Sequence, residues 1–251
     1  MNTYSTSEIA RIIGIHPNTV RLYENLGLIT APERRPNGYR VFTDLHVDQF
    51  INARLAFQVE ILQNGLRRLA VSVVRASAAC DFEEAIRLIM QYRRQIEKEK
   101  AHAEEAICIA RDMLSEPGSG AEQAGTLHLN RHDTAACLGI TIDTLRNWEL
   151  NGLLQIKRRQ NGYRYYTDED IRRLKLIRSL RCANYSLTAI LRMLHTLSAD
   201  PDADIRTAID TPDDDIITAC DSLLTSLSHA GDNAARIHER LCLMKETYEK
   251  K

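Results

Sequence analysis

Residues 14–28 read GIHPNTVRLYENLGL and residues 139–153 read GITIDTLRNWELNGL. At a shift of 125, Gly14, Ile15, Thr19, Arg21, Glu24, Gly27 and Leu28 fall on Gly139, Ile140, Thr144, Arg146, Glu149, Gly152 and Leu153, and Tyr23 meets Trp148. One residue is then lost, and RRPNGYRVFTD (34–44) meets RRQNGYRYYTD (158–168) at a shift of 124. Farther on, Leu66 aligns with Leu187. The chain therefore carries one unit of about seventy residues twice, and a repeat of this size decides the fold before any single helix does.

Local signals give each unit its layout. Ser5 and Glu8 form a capping box that opens a short helix ending at Gly14. Pro17 suits the first turn of a second helix reaching Asn25 and closed by Gly27, and Thr141 is the N-cap of its counterpart. Two helices around a tight glycine turn make a helix-turn-helix. Short runs on either side of Asn37-Gly38 and Asn161-Gly162 follow; Asn-Gly tolerates the positive φ angles of a type I′ turn, so each reads as a two-stranded hairpin, a wing. Thr43 and Thr167 cap a third helix, the second through a T-x-x-D box with Asp170, and a fourth covers about 65–75 and 186–198.

The polar residues are concentrated. Arg21, Arg34, Arg35 and Arg40, and again Arg146, Arg158, Arg159 and Arg164, sit on the second helix and the wing. Guanidinium forks beside the Tyr39 and Tyr163 hydroxyls suit phosphate oxygens and groove edges. A solvated helix face has no reason to repeat that constellation, so the expectation is double-stranded DNA.

The run T-V-R-x-Y-E-x-x-G-L-I followed by R-x-x-x-G-Y-R resembles the MerR family of bacterial transcription regulators, and T-L-R-x-W-E-x-x-G-L-L with R-x-x-G-Y-R resembles it again. The likeness covers residues 4–75 and 130–198. It implies a protein that binds a promoter element with two half-sites and twists it so that RNA polymerase engages. By that likeness Arg21 and Arg146 contact the backbone from the recognition helix, supported by Tyr23 and Trp148. Thr19 and Thr144, with Asn18 and Asp143, lie toward the groove; Arg40, Arg164, Tyr39 and Tyr163 are wing contacts; Glu24 and Glu149 are structural. Asp143 departs from the pattern, since phosphate repels a carboxylate unless a cytosine amine faces it.

Charge divides the chain. Residues 1–75 hold nine Lys/Arg against six Asp/Glu, and residues 130–198 hold twelve against six. Residues 76–129 hold six against ten, and residues 199–251 six against twelve, so a net charge of −1 conceals two basic blocks. The acidic blocks read as long helices. Asp81 to Leu114 contains no Gly or Pro, with apolar residues at 82, 86, 89, 96, 103, 107, 110 and 114; from 86 they follow a heptad seam interrupted by Arg93 and Lys100. Thr211-Pro212-Asp213-Asp214 caps the second, which places Ile216, Cys220, Leu223, Leu227, Ala230, Ala234, Ile237, Leu241, Met244 and Tyr248 at spacings of four and three.

The expected fold is mainly α: two winged helix-turn-helix domains, 1–75 and 130–198, joined by long helices at 76–114 and within 199–251 that form an antiparallel coiled coil. Residues 115–129, rich in Gly, Ser and Ala, are the linker. In the family such helices pair between two chains. Here one chain supplies both, so a monomeric pseudo-dimer is favoured over a homodimer with four winged units.

Six scattered cysteines with no C-x-x-C pair indicate reduced thiols in a cytoplasm, and a bacterial, nucleoid-associated location follows from the resemblance. No metal or cofactor is expected. Cys80 precedes the first long helix, where metal-sensing relatives carry a thiolate, but 115–127 offers no further cysteine. Asp200, Asp202 and Asp204 lack the Gly and Glu of a calcium loop, having Ile205 and Thr211 there. His16, His102, His195, His229 and His238 read as surface or packing residues. A small-molecule effector has no motif to identify it. No phosphate loop or nucleophile motif supports an enzyme. The second reading is an architectural, excisionase-like DNA-bending accessory protein.

Overall fold

A computed structural model of the chain describes residues 2–59, 65–115, 128–155, 157–160, 162–199 and 216–249. The cap at 211–214, the acidic loop at 200–204, Asn161 and most of the 115–129 segment lie outside the described residues. The chain divides into two compact units, Met1–Lys98 with Ser226–Lys251, and Glu99–Thr225.

In the first unit β1 (Thr3–Tyr4) leads into α1 (Thr6–Ile13) and α2 (Pro17–Asn25), then β2 (Glu33–Arg34), β3 (Arg40–Thr43), α3 (Asp44–Phe57) and α4 (Leu66–Ala78). The capping box is present: Ser5 N–H donates to Glu8 and Glu8 N–H to Ser5 Oγ. Gly14 ends α1 at φ 71°, a left-handed conformation that costs glycine nothing. Pro17 stands at the first turn of α2, as expected, and His16 is the N-cap, its Nδ1 accepting from Asn18 N–H at 3.2 Å. His16 thus has a structural task that its sequence position does not announce.

Two features of the sheet differ from expectation. It has three strands in the order β1-β3-β2, because Thr3 and Tyr4 pair with Thr43 and Phe42. The wing turn is also not a two-residue Asn-Gly turn. Arg34 pairs with Arg40, Gly38 N–H donates to Arg35 O at 2.8 Å, and only Gly38 has positive φ, at 83°. Type I′ needs positive φ at Asn37 as well; the loop is instead an ordinary turn at 35–38 whose last residue is the left-handed glycine.

The core of the winged part is Ile9, Ala10, Val20, Ile29, Phe42 and Phe50, with Tyr23 stacked on Phe50 at 5.5 Å. Each fully buried side chain of this size contributes about 1.5–3 kcal/mol. A buried polar lattice ties it to the end of α4: Thr30 Oγ1 donates to Ala78 O at 2.7 Å, and Gln49 Nε2 to Ser77 O at 2.9 Å.

The second unit repeats the plan with α6 (Arg131–Leu138), α7 (Ile142–Leu150), β4 (Lys157–Arg158), β5 (Arg164–Tyr165), α8 (Asp168–Cys182) and α9 (Leu187–Ala199). Leu129 pairs with Tyr166 where β1 pairs with β3 in the first unit. Thr141 caps α7 and the Thr167–Asp170 box caps α8. The core gathers Leu138, Leu145, Trp148, Leu153, Leu174 and Ile177.

The long helices are α5 (Phe82–Ser115) and α10 (Ile216–Tyr248), each on the order of 50 Å and each contributing to both units. Phe82, Ala85, Ile89, Tyr92, Ile96, Glu99, Ala103, Ala106 and Ala110 of α5 are buried in a strict alternation of three and four, with the expected Ile107 and also Ile109 buried beside them. This seam runs one position before the expected interruptions, so Tyr92 and Glu99 are inside where Arg93 and Lys100 were expected to break it. Counting only apolar residues hid Glu99. On α10, Leu223, Leu227, Ala230, Ala234, Ile237, Leu241 and Met244 are buried as expected. The start of α5 meets the end of α10 in the first unit, with Phe82 and Tyr248 rings 6.5 Å apart and Lys245 paired with Glu83. In the second unit Leu224 packs on the cluster holding Ala106, Ile107 and Ala110. The pair is antiparallel.

Candidate nucleic-acid interface

Each winged unit is organised around one carboxylate on its second helix. In the first, Glu24 accepts from Arg34 Nη2 at 3.2 Å and from Arg40 Nε. These bonds fasten both strands of the wing to α2. The Glu24 side chain is 13% exposed, so the pairing is partly shielded from water and holds better than a surface ion pair.

In the second unit Glu149, 1% exposed at its side chain, accepts from Arg131 Nη2 at 2.7 Å and from the Tyr166 hydroxyl, with Arg164 Nε 3.6 Å away. Burial, reinforced by the bond to Glu149, pushes the Tyr166 phenol up to about 12, which keeps it a donor. Tyr166 and Arg131 stand where the first unit has Phe42 and Thr6. Arg158 is thereby released from the carboxylate and donates to Gly162 O at 2.9 Å, on its own wing. Glu24 and Glu149 are structural, as the resemblance implied, and the partners of Glu149 are what sequence alone missed.

Around these anchors the expected contact residues separate into two sets. Arg21, Arg35, Tyr39, Arg146, Arg158, Arg159 and Tyr163 are exposed, Tyr39 and Tyr163 by 72% and 73%. Asn18 is exposed and accepts from Arg21 Nη1 at 3.1 Å, which aims the guanidinium along α2. Thr19 is half-buried, and Thr144 is held by Thr141, its N–H donating to Thr141 Oγ1 at 3.1 Å. Asp143 lies in the first turn of α7, where the partial positive charge of a helix N-terminus suits a carboxylate. That gives it a local reason to be there.

The other set points inward. Trp148 is 3% exposed and Tyr23 half-buried against Phe50, so both brace the helix. Arg34, Arg40 and Arg164 belong to the carboxylate anchors, Arg34 remaining half-exposed. On the second wing, His128, Arg158, Arg159, Gln160 and Tyr165 line an open hollow of about 580 Å³, with the His128 ring edge-on to Tyr165 at 4.9 Å. Pro36 and Val41 replace Gln160 and Tyr165 in the first unit.

Among the described residues no group of three His, Cys, Asp or Glu side chains is placed to hold a metal, and no helix is long and apolar enough to cross a membrane.

Comparison with known proteins matches both winged stretches to one family. A model described as MerR family regulatory protein matches residues 5–42, and one described as MerR HTH family regulatory protein matches residues 132–197. The chain is 31% identical over 96 residues to the mercuric resistance operon regulatory protein of Bacillus cereus, covering 38% of this chain and 73% of that protein. It is 42% identical over 53 residues to the HTH-type transcriptional regulator CueR of Escherichia coli O157:H7. That match covers 21% of this chain and only 39% of the relative's length. No solved structure matches.

Proposed function

The chain belongs to the MerR family of helix-turn-helix regulatory proteins, and from that premise we propose that it is a sequence-specific DNA-binding transcription regulator working from one promoter element with two half-sites. The observation that carries this is the duplicated carboxylate anchor. Glu24 binds both strands of its wing, and Glu149 binds Tyr166 at the end of the second wing with Arg164 3.6 Å away, which leaves Arg21 and Arg35, and again Arg146 and Arg159, outside to meet phosphates. An anchored wing fixes the distance between two backbone contacts, which is how positioning contacts set register on a duplex.

Each 1–75 and 130–198 domain takes one half-site, the helices of 76–114 and 199–251 set the spacing, and 115–129 links the halves. One chain then does the work of a symmetric dimer and deforms the spacer for RNA polymerase in the cytoplasm. Catalysis has no part in this.

Selection from a random duplex library with the full-length protein, followed by genome-wide occupancy mapping, tests the proposal. Enrichment of a bipartite motif within promoter spacers is the expected result. Recovery of no motif above nonspecific competitor contradicts it, and enrichment at recombination arms transfers the protein to the accessory class.

A further inference from the structure

Each winged unit presents the same face of its third helix to a long helix, and the two faces carry opposite charge. In the first unit Asp48 of α3 accepts from Arg240 Nη2 at 2.6 Å and from the Tyr248 hydroxyl at 2.8 Å, while Arg240 Nε donates to Asn52 Oδ1 at 3.0 Å. All the partners are on α10. In the second unit Arg172 of α8 occupies the place that Asp48 has in the repeat, and it donates to Asp112 of α5 at 3.0 Å. Lys175 Nζ donates to Glu105 at 2.6 Å and Arg178 Nη2 to Glu99 at 2.8 Å, again on α5. An anionic position on α3 meets a cationic one on α10, and cationic positions on α8 meet anionic ones on α5.

The exposed members of this set add little stability. Arg240 and Asp48 are about a third exposed at 30% and 32%, and Arg172 and Asp112 more so at 46% and 67%, where screening leaves little net attraction. Their effect lies in what they reject, because a wrong partner sets like charges against each other. Glu99 and Arg178 are different, with side chains 1% and 6% exposed, and a carboxylate so buried cannot lose its cation. Arg54, the counterpart of Arg178 on α3, is exposed, and its neighbours Asn52, Ala53, Leu55 and Ala56 are buried.

We propose that this inversion is a pairing code, in which α3 accepts only α10 and α8 accepts only α5. Each winged unit is then closed by the long helix of the other half of the chain, and two copies are barred from pairing α5 with α5. Were α5 of a second copy to dock on α3, Asp112 would meet Asp48; were α10 to dock on α8, Arg240 would meet Arg172. The code extends the one-chain arrangement proposed above and rests on it.

Paired charge reversals in the full-length protein, read by thermal melting at low salt, test it. Asp48→Arg and Arg240→Asp should each lower the melting temperature by about 2–4 °C, and the double variant should recover most of the loss. Arg172→Asp and Asp112→Arg should behave alike. Losses that simply add overturn the code. Light scattering supplies an independent arm: Asp48→Arg with Arg172→Asp exchanges the charges of the two faces but leaves both long helices intact. It should convert a monomer into a concentration-dependent dimer, and a monomer with unchanged melting temperature overturns the code. A dimeric wild type would instead remove the one-chain reading, and recovery in the paired reversals alone would then decide the code.

Discussion

Glu24 and Glu149 perform one task with different partners, and the difference shows how much of a site a motif conveys. The repeated Glu is visible in the sequence, as are the exposed Arg21 and Arg146. The partners of Glu149 are not visible, because Arg131 lies outside the motif and Tyr166 stands where the first unit has Phe42, and both reach Glu149 only through the fold. If the anchors position the wings, Glu24→Gln should weaken DNA binding about tenfold, the worth of one charge-assisted bond, without changing the salt slope. Arg21→Ala or Arg146→Ala should instead lower the slope by about 0.9 each, the value of one phosphate contact. Anisotropy titrations across a salt series separate the two; Glu24→Gln binding like wild type would show the wing needs no anchor. His46 offers a pH test. Its Nδ1 accepts from Thr43 N–H at 3.0 Å, and burial holds the imidazole below its ordinary range. The unfolded chain therefore takes up this proton first, so the contribution is complete above about pH 6.5 and is lost as pH falls below it. His46→Gln keeps a T-x-x-Q box and should flatten that part of the pH profile relative to wild type, as followed by urea midpoints at pH 7.5 and 5.5.

At the scale of elements, what could be read was what is local. Caps at Ser5, Thr141 and Thr167 and the glycine stop at Gly14 need only neighbours, and all are found. β1 is two residues long and is held entirely by β3, so nothing in Thr3-Tyr4 itself marks it as a strand. The wing turn misled for a related reason: Asn-Gly permits a type I′ turn, but pairing of Arg34 with Arg40 sets a longer loop in which only glycine needs positive φ. On α5 the heptad was legible except where a buried ion pair put Glu99 into it. The seam itself is testable at neighbouring residues of α10. Leu241 is fully buried and Leu243 is 62% exposed. Leu241→Ala should cost about 2–5 kcal/mol, while Leu243→Ala stays within about 0.5 kcal/mol. Equal denaturant midpoints for the two variants would place the seam elsewhere.

For the whole molecule the informative quantity was the regional charge, since the near-neutral total conceals two basic blocks, the second twice as rich in net positive charge as the first. The units have diverged further at Asn18 and Asp143, Tyr23 and Trp148, and in the hollow beside Arg158 and Arg159. A homodimer must read a palindrome, because both halves are the same. Unlike halves in one chain carry no such constraint, and the operator should be imperfect and directional, with the half-site of the 130–198 unit bound more tightly. Reversing one half-site should therefore weaken binding. The most direct test of a single chain spanning both half-sites is the mass of its complex, measured by multi-angle light scattering with a duplex carrying the selected operator. One chain per duplex is the expected stoichiometry; two chains on one duplex, with a perfect palindrome preferred, would contradict it.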